Sequence, residues 1–263
     1  LDLSTKITLS QKSTNQELGG RLQRNCSWQE MVGAGLRNNY FEEKSTLVSA
    51  LKKRILENLE SGIQIRGSSV LVVSGGSTPR ALFEALSQSV LDWHLVTIVL
   101  ADERWVSADD ENSNESFVRA TLLVNRAATA KFVSLLDYYP DFKMTEVEVG
   151  KTLGSLPIYD AVILGMGLDG HTASIFPCAD ANQLNASLTT KKSALFIDPT
   201  TAEFRRLTQS VSRLRNTRFG AIHIEGTEKK VVLDAAKESL DNPRYPVSYF
   251  VGGSSSFEIY FSE

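Results

Sequence analysis

Short apolar runs, each breaking into a glycine-rich or acidic loop and then into a helical pattern, constrain this chain more than any other feature. Val70-Leu71-Val72-Val73 stops at Ser74-Gly75-Gly76-Ser77-Thr78-Pro79 and gives way to the helical stretch Arg80–Ser89. Val96–Ala101 leads through a polar loop to a helix around Asn114–Leu123. Ala161–Leu164 runs into the loop Gly165–His171 and a segment that begins near Thr172, and Gly220–Glu225 alternates as a strand ahead of a helix over Thr227–Ser239. Strands separated by helices pair through crossovers rather than hairpins, which predicts an α/β fold with a parallel sheet covered on both faces. Ahead of the first strand, Leu47, Leu51, Ile55 and Leu59 recur at helical spacing, and the helix they define is expected to end near Ser61-Gly62.

Residues 1–39 are rich in Ser, Thr, Gln, Asn and Gly and read as an extension without clear periodicity. No linker or internal repeat divides the remainder, so residues 40–263 are expected to form one domain, with Asn182–Ser193 as an excursion from it. The 28 Lys and Arg against 31 Asp and Glu leave a formal charge of −3, which argues against a dedicated nucleic-acid binder. Every apolar run has strand length, so no membrane span is expected. The N-terminal residues lack the basic and apolar regions of a secretory signal. Cys26 and Cys178 have no metal-ligand spacing, which predicts no metal site and a reducing, cytoplasmic setting. A monomer and a small homo-oligomer both fit.

In open parallel sheets, ligands bind beyond the carboxyl ends of the strands, so the loops there are where chemistry is expected. Gly75 and Gly76 permit close backbone approach, Ser77 and Thr78 add hydroxyls, and Thr78 is placed to cap the following helix with Pro79 at its first position. Such a loop suits a phosphate, although the same residues also make an ordinary strand-to-helix turn. It lacks the lysine of a nucleotide-triphosphate loop. Asp102, Glu103 and Arg104 follow the second strand on the same edge, where an arginine clamps an anion and an acid orients it.

Gly165-Met166-Gly167-Leu168-Asp169-Gly170 matches a dinucleotide signature in letters only: the region about twenty residues on, Thr189–Lys192, holds no acid, and Asp169 would repel a pyrophosphate. The loop instead presents Asp169 and His171 two residues apart, and a carboxylate beside an imidazole makes a base for proton transfer. His94 and His223 read as structural. Arg205, Arg206, Lys229 and Lys230 supply cations, either solvent-facing or reaching into the same crevice. Together these features describe a pocket for a small phosphorylated molecule with one histidine for proton transfer.

Ser74–Pro79, Asp102-Glu103-Arg104-Trp105-Val106, Ser113-Asn114-Glu115 and Gly165–Pro177 stand in the order and spacing of the 6-phosphogluconolactonase family, which the chain resembles from about Phe41 onward. That family shares a superfamily with glucosamine-6-phosphate deaminase. The resemblance implies a Rossmann-like three-layer fold, with a mostly parallel sheet flanked by helices. It also implies hydrolysis of 6-phospho-D-glucono-1,5-lactone in the oxidative pentose phosphate pathway, without metal or organic cofactor. By the same resemblance His171 is the general base and Asp169 supports it. The phosphate rests on Gly75, Gly76, Ser77 and Thr78 with Arg104, Arg206 and Lys229, while Asp102 stands at the position of the deaminase's enolisation base. Arg205 competes with Arg206 for its role.

Deaminases carry Ile-Ala-Phe-Asn-Glu-Pro after the shared histidine, whereas this chain has Thr172-Ala173-Ser174-Ile175-Phe176-Pro177, with a phenyl ring in place of the glutamate. A sugar-phosphate sensor on the same scaffold is a further alternative, against which His171 and Asp169 both count.

Overall fold

The computed structural model describes residues 37–252, 255 and 257–263; residues 1–36, the bulk of the expected extension and Cys26 with it, lie outside this set. Ten strands and seven α-helices are described. The strands are β1 (Asn38–Phe41), β2 (Ser69–Val73), β3 (Val96–Leu100), β4 (Asp102–Arg104), β5 (Lys131–Val133), β6 (Ala161–Leu164), β7 (Ala194–Ile197), β8 (Arg206–Gln209), β9 (Gly220–Glu225) and β10 (Phe257–Ser262). The helices are α1 (Lys44–Arg66), α2 (Arg80–Ser87), α3 (Asn114–Thr121), α4 (Phe142–Ser155), α5 (Ala181–Thr189), α6 (Val211–Arg215) and α7 (Thr227–Glu238).

Seven strands pair in the order β1-β10-β9-β6-β2-β3-β5, all parallel. The second sheet is small and antiparallel, β4-β8-β7, and faces Arg104 with Arg206 in register. Every residue of β2 and β6 is buried, as a parallel strand covered on both faces requires, which is why both read as unbroken apolar runs. The expected α/β architecture is therefore present, with helices flanking a parallel sheet. The stretch Asn182–Ser193 is no loose excursion: most of it is α5, which leads into β7 of the small sheet.

Helix α1 buries Leu47, Leu51, Ile55 and Leu59, worth about 2 kcal/mol each by area. It does not stop at Ser61-Gly62 but continues one turn, to Arg66, and ends at Gly67, whose φ of +74° lets its N–H reach Ile63 O. The extra turn has a purpose. Arg66 Nη2 reaches both carboxylate oxygens of Asp160, at 2.5 and 2.6 Å, and Asp160 also accepts from Val70 N–H at 2.9 Å. Asp160 is fully buried just ahead of β6, so one carboxylate fastens α1, β2 and β6 together. The Asp160→Ala substitution removes every partner from the buried face of Arg66 and from Val70 N–H. A loss of about 3 kcal/mol in unfolding free energy is expected from denaturant titration, with Asp160→Asn losing less.

Candidate active site

Four strands that are neighbours in the sheet, β9, β6, β2 and β3, end on one edge, and the segments that follow them enclose a cleft of about 270 Å³. The chain runs from β2 outward through β3 to β5, then returns to β6 on the other side of β2. The order reverses between β2 and β6, where a parallel sheet opens its crevice. The loop after β2 forms one wall. Gly76 takes φ +97°, and Gly75 packs so closely against Asn114 that a Cβ would lie 1.9 Å from its Oδ1. The amide N–H groups of Gly75, Gly76, Ser77 and Thr78 donate to no described residue, and all four residues line the cleft. Thr78 is not a cap: Pro79 already occupies the N-cap position in helical conformation, so Thr78 falls a residue too early and no side chain caps α2.

Glu103 frames the second wall. It is fully buried and accepts from Ser113 Oγ and from the N–H groups of Arg104, Asn114 and Glu115, between 2.6 and 3.0 Å. Burial pushes its carboxyl up, to about 7, against those four hydrogen bonds. Asn114, held this way at the start of α3, donates Nδ2–H to Asp102 O at 2.9 Å and presses on Gly75. Asp102 turns its carboxylate to Ser174 Oγ, which donates to Oδ2 at 2.5 Å. Arg104 lines the cleft and donates Nη1–H to Asn112 O.

The small sheet separates the two candidate arginines. Arg205 faces outward, donating to Asp198 at 2.6 and 3.1 Å and lying over Phe142 and Phe196. Arg206 is 8% exposed, stands opposite Arg104, and its Nε is buried without a partner among the described residues. Burial and then the charge of Arg104 lower its pKa, so it is a cation held against its own cost. At the start of α7 a similar split occurs. Lys229 lines the cleft, whereas Lys230 pairs with Asp234 at 2.6 Å and lies over Tyr40.

The loop after β6 supplies the titratable pair. Asp169 Oδ1 lies 2.5 Å from His171 Nδ1 and also accepts His171 N–H at 3.1 Å. Desolvation pushes the Asp169 carboxyl up, but the hydrogen bonds and charge of His171 outweigh it and leave the pKa below its ordinary value. Gly167 sits beneath the ring, where a Cβ would come within 2.2 Å of Nδ1 and Cε1. Phe176 stacks on the ring, 4.2 Å between centroids at 27°. The imidazole is thus fixed in a slot, with Nδ1 engaged and Nε2 the remaining nitrogen.

Of the residues that the resemblance assigns to the site, all line this cleft except Asp169 and Arg206, which border it through His171 and Arg104; Glu103, Arg205 and Lys230 do not line it. His94 is exposed, away from the cleft. His223 departs from its structural reading: it lines the cleft although it lies within β9. Asn114 and Ser174 also acquire positions that sequence reasoning did not give them, although both fall inside quoted motifs.

The family model described as glucosamine-6-phosphate isomerases/6-phosphogluconolactonase matches residues 42–258. A 6-phosphogluconolactonase of Rhizobium meliloti is 37% identical over 84% of this chain and 97% of its own length. One from Mesorhizobium japonicum is also 37% identical, over 83% of this chain and 92% of its own. The crystal structure of a 6-phosphogluconolactonase from Shewanella baltica superposes with a TM-score of 0.83 at 38% identity, covering 87% of this chain and 98% of that one. With a family model matched over residues 42–258 and relatives covered over most of their length, the chain belongs to the glucosamine-6-phosphate isomerase/6-phosphogluconolactonase family.

Proposed function

We propose that residues 40–263 form a catalytic domain that hydrolyses 6-phospho-D-glucono-1,5-lactone to 6-phospho-D-gluconate, a step of the oxidative pentose phosphate pathway. The observation that carries this reading is the Asp169–His171 pair, 2.5 Å apart, with His171 in the same cleft as a loop of undonated amides and the side chains of Arg104 and Lys229, and with Arg206 opposite Arg104 at its border. The curated relatives bearing the lactonase name support it.

Asp169 accepts the Nδ1 proton, which sets the tautomer and leaves the Nε2 lone pair free. Nε2 takes a proton from a water molecule as the water oxygen bonds to the lactone carbonyl carbon, and the imidazolium that forms is stabilised by the Asp169 carboxylate. Collapse of the tetrahedral oxyanion breaks the bond to the ring oxygen, which receives the proton from Nε2. The product carries a carboxylic acid and a free hydroxyl, and the base is regenerated. The phosphate, at the far end of the sugar from the reacting carbon, is held by the amides of Gly75, Gly76, Ser77 and Thr78 and by Arg104, Arg206 and Lys229. Its binding fixes the carbonyl over His171.

Phe176 favours hydrolysis over deamination. It stands where a deaminase places a glutamate and lies flat on the His171 ring, where a phenyl group holds the base but carries no proton.

In a lactone-hydrolysis assay coupled to oxidation of 6-phosphogluconate, His171→Ala is expected to lower kcat by at least about a hundredfold while phosphate-ligand affinity stays within about twofold. Ammonia release from glucosamine 6-phosphate in place of lactonase activity would sink the reading. The two arginines give a second test: Arg206→Ala is expected to raise KM roughly tenfold or more, the loss of a charge-assisted phosphate bond, and Arg205→Ala to leave it within about twofold. Equal effects of the two would contradict the assignment.

A further inference from the structure

We propose that His223 is a ligand-contacting residue whose imidazole hydrogen-bonds a hydroxyl of the sugar chain in the cleft, so that it selects for the polyhydroxylated part of the substrate. The inference deepens the lactonase reading and rests on it.

His223 is 2% exposed, and neither Nδ1 nor Nε2 has a hydrogen-bond partner among the described residues. Its strand neighbours Ile222 and Ile224 are fully buried in the core, whereas His223 alternates to the side that lines the cleft. The nearest carboxylate does not satisfy it. Glu225 Oε1 stands 3.7 Å from Nε2, beyond hydrogen-bond length, and Glu225 is engaged by Lys44 at 2.9 Å. A buried donor and a buried acceptor left unmade are each destabilising, and an aliphatic residue in the same place would carry no such cost. A polar ring kept there makes sense when its partners arrive with a ligand.

The chemistry of the ring points to the part of the ligand it meets. Burial, opposed by Glu225 and assisted by Lys229, lowers its pKa to about 4, so the imidazole is uncharged near neutral pH. A neutral imidazole offers one donor and one acceptor, which is also what a hydroxyl offers. A phosphate oxygen only accepts, and Arg104, Arg206 and Lys229 already provide charge for it. His223 also sits beside the strand that carries the His171 loop, since β9 pairs directly with β6.

The test is calorimetric titration of wild type and His223→Leu with 6-phospho-D-gluconate and, separately, with inorganic phosphate, alongside steady-state lactone hydrolysis. His223→Leu is expected to raise Kd for 6-phosphogluconate and KM for the lactone about tenfold, with inorganic phosphate affinity within about twofold and kcat within about threefold. His223→Gln, which keeps a donor and an acceptor, is expected to recover part of the loss. His223→Met carries the same comparison if the leucine variant does not fold. Unchanged affinity for 6-phosphogluconate overturns the inference alone, and an equal loss for inorganic phosphate overturns it by moving the contact to the phosphate. A wild type that binds neither ligand and opens no lactone overturns the lactonase reading and this inference with it.

Discussion

Parallel pairing on both sides of β2 is the constraint from which the rest of this structure follows. A parallel sheet sends every strand the same way, so all seven carboxyl ends meet one edge, and the reversal of order between β2 and β6 parts the two loops there. The glycine loop leaves β2 on one side of that gap, and the Asp169–His171 loop leaves β6 on the other. Asp160 fixes the opposite edge of the same two strands, tying β2 to the start of β6 through Val70 and to α1 through Arg66. The distance between the glycine loop and the Asp169–His171 loop is therefore set by strand pairing rather than by the loops themselves, and in the reading proposed above stiffness in the core becomes precision between the phosphate and the base.

The loops still need shape, and buried carboxylates give it. Glu103 gathers four donors from one turn of chain and the start of α3, which no apolar residue could do. Through Asn114 this polar knot presses on Gly75, so the amides that face the cleft are backed by a hydrogen-bonded frame. Asp169 does the same for His171 with fewer bonds, helped by the absence of a side chain at Gly167 and the flat face of Phe176. Both arrangements substitute fixed dipoles and charges for solvent before any ligand arrives, which is the condition for electrostatic catalysis.

How much of this was legible in the sequence depends on where each residue spends its burial. The strands β2, β3 and β6 announce themselves because burial on both faces demands nearly continuous apolar residues, and β9 does so by alternation. The small sheet does not: β8 reads Arg-Leu-Thr-Gln, a polar string, yet all four residues are buried. Its polar groups find partners inside, with Gln209 Nε2–H donating to Leu100 O and Thr208 Oγ1 accepting from Ser174 N–H. Local pattern carries no trace of such distant partners. β10 was hidden for a related reason, since Glu258 and Ser262 interrupt its apolar run although both are buried, Glu258 against Arg54. His223 misleads in the opposite direction. Its alternating strand identifies β9 correctly, and the same alternation conceals that one face of the strand's end belongs to the cleft rather than to the core.

The charge distribution follows from the same geometry. Pairing β4 with β8 in register sets Arg104 opposite Arg206, two cations on neighbouring strands, and one of them is nearly buried. Asp102 and Glu103 moderate the repulsion from within the same strand, but each is committed elsewhere, Asp102 to Ser174 and Glu103 to the start of α3. The sheet thus holds positive charge that its own acids do not neutralise, at an electrostatic cost that the phosphate of the substrate proposed above would reverse. This is how a chain with a formal charge of −3 can serve the phosphorylated substrate proposed for it. In that reading affinity arises from where a few cations are held rather than from how many the sequence contains.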